Sequence, residues 1–191
     1  MESLPLAFSS GWASGVNAYL VVLVLGIADR VGDYSDIPDV LGRWDVLAVA
    51  GFMYAMEFVA DKIPYVDSTW DAVHTAIRPT VGAVIGLLVA GDAATLDQAV
   101  LGATGGVTAL LSHLVKSGLR LAVNASPEPA SNIGVSLLED FSVAGVIAVT
   151  LAAPWVAAGI AAVLLVLGIT LVVLLAKRIR RARERWRARR A

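Results

Sequence analysis

The chain has 191 residues, of which 58% are hydrophobic and only 16% are charged, and it contains no cysteine. A soluble globular domain is roughly 45–50% apolar, so this composition indicates a membrane protein. The lack of cysteine excludes disulfides, thiol catalysis and cysteine-ligated metals. The formal net charge of −1 hides an asymmetry, because nine of the 15 basic residues lie between Lys177 and Arg190, with only Glu184 against them.

The apolar stretches predict an all-α polytopic membrane protein with six helical spans. A crossing needs about 20 mostly apolar residues. In chain order the expected spans cover residues 6–28, 46–60, 68–90, 96–123, the stretch after the 124–132 loop up to residue 153, and 155–176. No basic residue precedes the first run, so we expect that run to remain as a span rather than as a cleaved signal. Ser68 is a candidate N-cap, and Pro79 predicts a kink or break in the third helix.

Residues 1–176 therefore form a transmembrane domain, and residues 177–191 form a basic tail. Lys and Arg near span ends favour the cytoplasmic side. With six spans, this rule predicts a multi-pass protein of the plasma (inner) membrane with both termini in the cytoplasm. The loops at 61–68 and 124–132 would then also be cytoplasmic.

Two parts of the chain read as copies of one hairpin, at about residues 46–90 and 97–153. Sixty-three positions separate the matching prolines Pro64 and Pro127, and the same offset places Ser68 over Ser131. Both copies have the same predicted orientation, so the repeat would be parallel, with an axis along the membrane normal.

Matching positions of the two copies carry charges of opposite sign. The alignment places Glu57 over Arg120 and, after a slip of one residue, Arg78 over Asp140. Equivalent positions meet near a pseudo-two-fold axis, so we predict the ion pairs Glu57–Arg120 and Arg78–Asp140, with Glu139 as another partner for Arg78.

Ionisable residues inside a membrane are costly and occur in pairs or in wet cavities. A set of them gathers at one end of four predicted helices, and its members are candidates either for a structural network or for the lining of a polar pathway. The candidate site residues are Glu57, Asp61, Lys62, Asp67, His74, Arg78, His113, Lys116, Arg120, Asn124, Glu128, Glu139 and Asp140.

Three chemistries fit this set. Buried carboxylates with a histidine relay suit proton or cation transfer. Arginine, lysine and amide groups suit an anion. Acidic pairs at helical spacing suit a metal, although the spacing is nonspecific and a metal site is left open. The sequence has no H-E-x-x-H, Walker, G-x-S-x-G or Rossmann motif, so an enzyme has no positive support and no cofactor is expected.

The expected partners are the lipid bilayer and a small ion or solute. The basic tail suits anionic lipid at about 1 kcal/mol per basic residue near the surface. A solvated topology anchor is the simpler interpretation of the tail, and no specific nucleic acid is expected. A homo-oligomer is left open.

Three stretches carry a resemblance: A-D-K-x-P-x-x-D (60–67), V-H-T-x-x-R-P (73–79), and the segment from His113 to Asn132 that contains N-A-S-P-E-P, followed by L-E-D (138–140). With them the chain resembles, over about residues 10–175, a family of small multi-pass membrane proteins of bacteria and some plants catalogued as a domain of unknown function. The resemblance supports the fold and the choice of residues and implies no activity.

Taken together, the sequence favours a channel or secondary transporter for a small ion or solute, with a polar cavity lined by paired charges. Two alternatives stay open. One is a membrane-embedded enzyme or lipid-handling protein with its site at the two proline loops, and the other is a non-catalytic membrane scaffold.

Overall fold

The computed structural model describes residues 3–32, 34, 36–124 and 129–188, without the side chains of residues 129, 182, 183 and 185–188. Over these residues all regular structure is helical, which confirms the all-α prediction. The elements in chain order are α1 (Ser3–Val31), a 3-10 turn (Asp39–Gly42), α2 (Trp44–Ala60), α3 (Val66–Ala90), α4 (Thr95–Val123), α5 (Pro129–Ala152) and α6 (Pro154–Ala188).

Five helices are long and apolar enough to cross a membrane, as judged by length and composition: Ser3–Val31, Val66–Ala90, Thr95–Val123, Ala130–Ala152 and Pro154–Arg181. The 17 residues of α2 lie at the lower limit for a crossing and rise about 25 Å. The protein is therefore a multi-pass membrane protein. Its α6 is the least covered of the five, with 11% of its apolar window buried, so this helix is the one most open to lipid.

The helices α2 to α6 alternate in direction and define two ends of the bundle. The tail end holds the 61–65 turn, the end of α4 at Val123 and the start of α5, and α6 continues beyond it into the basic tail. The far end holds the 3-10 turn, the 91–94 turn and the junction between α5 and α6.

The first helix is broken at Asn17, whose φ of −150° and ψ of 94° are extended rather than helical. Before the break the chain runs beside α4 in the same direction: Ser112 Oγ donates to the carbonyl of Trp12 at 2.7 Å, and Lys116 Nζ donates to the carbonyl of Val16 at 2.9 Å. Because α4 runs from the far end to the tail end, this half of α1 does so too. Its start lies near the end of α5, where Thr150 Oγ1 donates to Ser9 Oγ at 3.0 Å.

After Asn17 the chain returns to the far end. The hydroxyl of Tyr19 lies 2.9 Å from Nε2 of His74, on the tail half of α3. Further along, Gly26 packs against the carbonyl of Leu41, and Arg30 donates to the carbonyl of Gly42 at 2.9 Å, both in the 3-10 turn. Both ends of α1 therefore lie at the far end, and α1 is a re-entrant helical hairpin with Asn17 at its tip.

This hairpin bears on two predictions. The stretch at residues 6–28, predicted as one straight crossing, folds back at Asn17 although its length and hydropathy suit a span, and its polar tip has buried partners inside the protein. The Ser3 end and the basic tail lie at opposite ends of the bundle, and the side of the membrane on which each terminus lies stays a prediction.

The break predicted at Pro79 does not occur, since α3 continues as one helix through it. Proline removes a single backbone donor there. The start of α3 also lies two residues before the predicted cap at Ser68, with Tyr65 at the N-cap in a positive-φ conformation of 70°.

Glycines hold α1, α3 and α4 in close contact. A Cβ at Gly11 would lie 2.5 Å from the carbonyl oxygen of Gly105, and a Cβ at Gly82 would lie 2.7 Å from the same oxygen. Small residues allow helix backbones to approach in lipid, where packing replaces the hydrophobic effect. The three glycines therefore set the position of the hairpin against α3 and α4.

Candidate functional site

Eight ionisable side chains from four helices and one turn form a buried group between the tip of α1 and the tail end. We call this group the charged cluster. Its carboxylates outnumber its cations, and all but one of its side chains are at most 3% exposed. The exception is Glu139, at 14%. The charged cluster consists of Glu57, Asp61, Asp67, Asp71, Arg78, Lys116, Arg120 and Glu139.

Arg78 occupies the part of the cluster deepest along α3. Its Nη2 donates to Glu57 Oε1 at 2.9 Å, and its Nη1 lies 2.9 Å from Asp71 Oδ1. The second pair lacks the alignment of a hydrogen bond, which leaves both oxygens of Asp71 without one. Nη1 also donates to Nδ1 of His113 at 2.8 Å. Arg78 thus joins α2, α3 and α4.

Lys116 lies at the centre. Its Nζ donates to Asp61 Oδ2 at 2.8 Å and lies 3.5 Å from Glu57 Oε1 and 3.6 Å from Glu139 Oε2. The same ammonium donates to the carbonyl of Val16 just before the break in α1. An ammonium has three donors, and here they reach α1, α2 and the 61–65 turn, while Glu139 of α5 lies within ion-pair distance.

Arg120 closes the cluster towards the tail end. Its guanidinium makes a two-pronged contact with Glu139, including Nε to Oε1 at 3.2 Å, and lies 3.3 Å from Asp61 Oδ2 and 3.5 Å from Asp67 Oδ2. The amide of Asn124 donates to Asp67 Oδ1 at 2.8 Å. Both predicted proline-loop acids, Asp61 and Asp67, therefore point inward.

The predicted pairs Glu57–Arg120 and Arg78–Asp140 are wrong, and so is the alternative Arg78–Glu139. Glu57 meets Arg78 and Lys116 instead, while Arg120 meets Glu139. The reason is a register offset of one helical turn between α2 and α4, which places Lys116 rather than Arg120 level with Glu57. The sequence repeat itself stays a prediction.

The tip of the α1 hairpin adds a second polar contact that the candidate list lacked. Asn17 Oδ1 accepts from the backbone N–H of Leu20 and so caps the returning half of α1. Its Nδ2 donates to Asp140 Oδ1 at 2.9 Å, and Asp140 Oδ2 has no hydrogen-bond partner among the described residues. The clue in the sequence was a lone asparagine in an apolar run.

The two half-helices of α1 present complementary dipoles at this depth. The first half ends in free carbonyls, which carry negative partial charge, and these face cations: Val16 accepts from Lys116, and the carbonyl of Gly15 lies 3.5 Å from Arg78 Nη1. The second half begins with free N–H groups, which carry positive partial charge, next to Asp140. The break therefore matches the charges around it.

Both candidate histidines lie beside the cluster with assignable tautomers. His113 Nδ1 faces Arg78, which can only donate, so its proton sits on Nε2, 3.1 Å from the hydroxyl of Thr75. His74 Nδ1 faces the carbonyl of Trp70 at 2.8 Å, so its Nε2 accepts from Tyr19. His113 thus contacts the cluster at Arg78, and His74 joins α3 to α1 at Tyr19. The candidate list lacked Tyr19 and Thr75.

Lys62 lies beside the cluster rather than in it. Lys62 Nζ lies 2.9 Å from the ring centroid of Phe58 and donates to Ser136 Oγ at 3.3 Å. Burial lowers the pKa of Lys62. Glu128 lies outside the described residues. Of the described residues, no three His, Asp or Glu side chains converge in a way that would hold a metal ion.

The cluster has five carboxylates and three cations, so full ionisation would leave two negative charges uncompensated. Several of the acidic oxygens have no hydrogen bond within the described structure, among them Glu57 Oε2 and Asp61 Oδ1. An unpaired buried charge is very costly. The cluster therefore holds more carboxylates than its own three cations can neutralise.

Asp61 lies in the turn after α2, outside the spanning helices, and its pKa gives a test of the pairing. Burial alone would raise the pKa of Asp61, but Lys116 and Arg120 outweigh burial and lower it below the ordinary value of 3.8. Because the folded-state pKa is lowered, the stabilisation is fully present above that value and is lost as the pH falls through the folded-state pKa.

We therefore expect Asp61→Asn to melt at a lower temperature than the wild-type protein at neutral pH. The difference should shrink as the pH falls below about 3.8. Thermal unfolding in detergent, followed by circular dichroism across this range, measures the difference. A gap that stays constant at low pH would contradict the assignment.

A family model described as Domain of unknown function (DUF4126) matches residues 4–174. The matched range includes the α1 hairpin and every residue of the charged cluster, and it stops before Lys177. No match was found among curated proteins or among solved structures. Because the match covers most of its length, the chain belongs to this family, whose function is unknown.

Proposed function

We propose that the protein is a secondary transporter for a small ion or solute, coupled to protons, with its site at the tip of the α1 hairpin. The observation that supports this proposal best is the contact between a broken, re-entrant helix and a buried cluster with surplus carboxylates. Irregular backbone at membrane depth is tolerated where it is buried in protein or lines a cavity, and transporters place such breaks at their sites.

Asp140 is the proposed proton-carrying group. Its only side-chain partner in the described structure is the amide of Asn17, and its second oxygen has no hydrogen bond. A carboxyl group held by one donor can exchange a proton without breaking an ion pair. Movement of the hairpin tip would change this contact, which couples protonation of Asp140 to the position of α1.

The closed packing of the cluster supports a transporter more than an open channel, because its charges contact each other and not a wide aqueous pore. The alternative of a site at the proline loops has less support, since Asp61 and Asp67 point into the cluster. The basic tail favours the cytoplasmic side of the plasma membrane. We therefore propose that the tail end faces the cytoplasm and that the far end, with Ser3, faces the outside.

The proposal is tested with purified protein in liposomes, an imposed proton gradient and a panel of inorganic ions, small carboxylates and amino acids. We expect gradient-driven uptake of at least one member. Asp140→Asn should lower this uptake by about tenfold or more, the typical contribution of a positioned proton-transfer group being 10²–10⁴. Exchange of labelled for unlabelled solute, which needs no net proton movement, should survive.

Asp97→Asn is the matched control, because Asp97 is an exposed aspartate in the first turn of α4 at the far end. It should leave uptake unchanged. Uptake by Asp140→Asn at the wild-type rate would refute the role of Asp140. If no solute moved in either assay with folded protein, the transport proposal itself would fail.

A further inference from the structure

An apolar groove of about 520 Å³ lies between α4, α5 and α6, with α1 at its base. It is separate from the contact between Asn17 and Asp140. Most of its walls are aliphatic, and its polar members include Lys116 and Glu139 of the charged cluster. Its aliphatic walls include Val115, Leu119, Leu138, Leu164, Leu171 and Leu175.

The groove is open to the bilayer rather than enclosed by protein. Leu138 is 68% exposed and Leu171 is 47% exposed on its rim. A mostly aliphatic surface of this kind in a membrane is covered by hydrocarbon, because its walls offer water few polar partners. The acyl chains of the surrounding lipid supply this hydrocarbon.

The length of the groove matches one lipid chain. On α6 it runs from Leu164 to Leu175, a rise of roughly 16 Å. One leaflet of the hydrocarbon core is about 15 Å thick. The groove therefore covers one leaflet, on the side of the basic tail.

A positive charge stands at the mouth of the groove on the same face of α6. Arg178 follows Leu175 by three residues and Leu171 by seven, which is the spacing of one helix face. It is exposed, and no acidic side chain of the described residues lies within ion-pair distance of it. Lys177 points to the opposite side of the helix by the same periodicity.

We propose that this groove binds one acyl chain of an anionic phospholipid, with the lipid phosphate at Arg178. The bound chain lies against Glu139, the most exposed member of the charged cluster, and keeps water from reaching the cluster sideways. The inference rests on the groove and on Arg178, so it holds or fails independently of transport.

The test extracts the protein from vesicles of equal phosphatidylglycerol and phosphatidylcholine and counts retained lipid by native mass spectrometry. We expect one phosphatidylglycerol per chain. Arg178→Gln should weaken phosphatidylglycerol binding about fivefold, because one basic residue near the surface contributes about 1 kcal/mol. The matched control Lys177→Gln should change this binding less than twofold. Equal losses in the two variants would reduce the site to diffuse attraction by the tail and overturn the proposal.

The position of the bound acyl chain is tested by filling the groove with a larger side chain. Leu171→Trp should displace the retained lipid, while Val173→Trp, at a similarly exposed position on the opposite face of α6, should not. Both positions face lipid, so both variants should fold, and circular dichroism checks this. Lipid retained equally by both tryptophan variants, or no retained phosphatidylglycerol in the wild-type protein, would refute the groove as the site.

Discussion

Arg120→Gln is expected to destabilise the folded protein by about 3–5 kcal/mol, the cost of breaking a buried ion pair from one side. Three carboxylates, those of Asp61, Asp67 and Glu139, lose their shared cation. Glutamine keeps much of the size of the side chain, so the loss reports charge more than packing. Unfolding by denaturing detergent, followed by circular dichroism, measures the change.

Arg43→Gln is the matched control. Arg43 also forms an ion pair, with Asp45 at 2.6 Å, but both side chains are more than 60% exposed, and surface pairs contribute little. We expect no measurable shift for it. The double variant Arg120→Gln, Glu139→Gln should recover part of the loss, because one uncompensated charge is removed. A wild-type melting curve for Arg120→Gln alone would show that the cluster does not hold the fold.

Asn17→Ala is expected to cost about 2–4 kcal/mol. It removes the cap on the returning half of α1, at about 1 kcal/mol, and the hydrogen bond to Asp140, at roughly 1.5–3 kcal/mol for a charged acceptor. The same unfolding experiment gives the magnitude. Because the two contacts meet at the hairpin tip, the loss should also make the segment around Asn17 more open to amide hydrogen exchange.

A double-mutant cycle separates these terms. In the Asn17→Ala background the carboxyl group of Asp140 has lost its hydrogen-bond donor, and Asp140→Ala removes that carboxyl group. The double variant should therefore be more stable than the sum of the two single changes predicts. Ser142→Ala, two residues along α5 from Asp140 and hydrogen-bonded to the carbonyl of Leu138, should leave the cost of Asn17→Ala unchanged. Strict additivity between Asn17 and Asp140 would mean that their hydrogen bond contributes nothing.

Much of the cluster could be predicted because charges stand out in apolar sequence. Glu57, Arg78, Lys116 and Arg120 stand out on this ground, and the structure buries all of them together. Their partners could not be predicted, since a shift of one turn between helices changes every pair and leaves the sequence pattern unaltered. Register depends on how the helices pack against one another, which the sequence pattern does not encode.

The re-entrant hairpin escaped prediction for a different reason. Length and hydropathy measure whether a segment can cross, and the first 29-residue helix passes that measure. Whether it turns back depends on Asn17 finding Asp140 and on the carbonyl of Val16 finding Lys116. These partners are distant in sequence. Pro79 is the opposite case. Proline is a strong local signal for a helix break, yet α3 continues through it because contacts with neighbouring helices hold α3 in place.

The hairpin also sets an order of events during synthesis of the chain. Asn17 and Asp140 are separated by 123 positions, and chains grow at about 5–20 residues per second, so the tip waits roughly 6–25 s for its partner. During that time the first helix has no completed polar pocket to enter. We infer that the tip of the hairpin pairs with Asp140 only after α3, α4 and the first half of α5 have been synthesised.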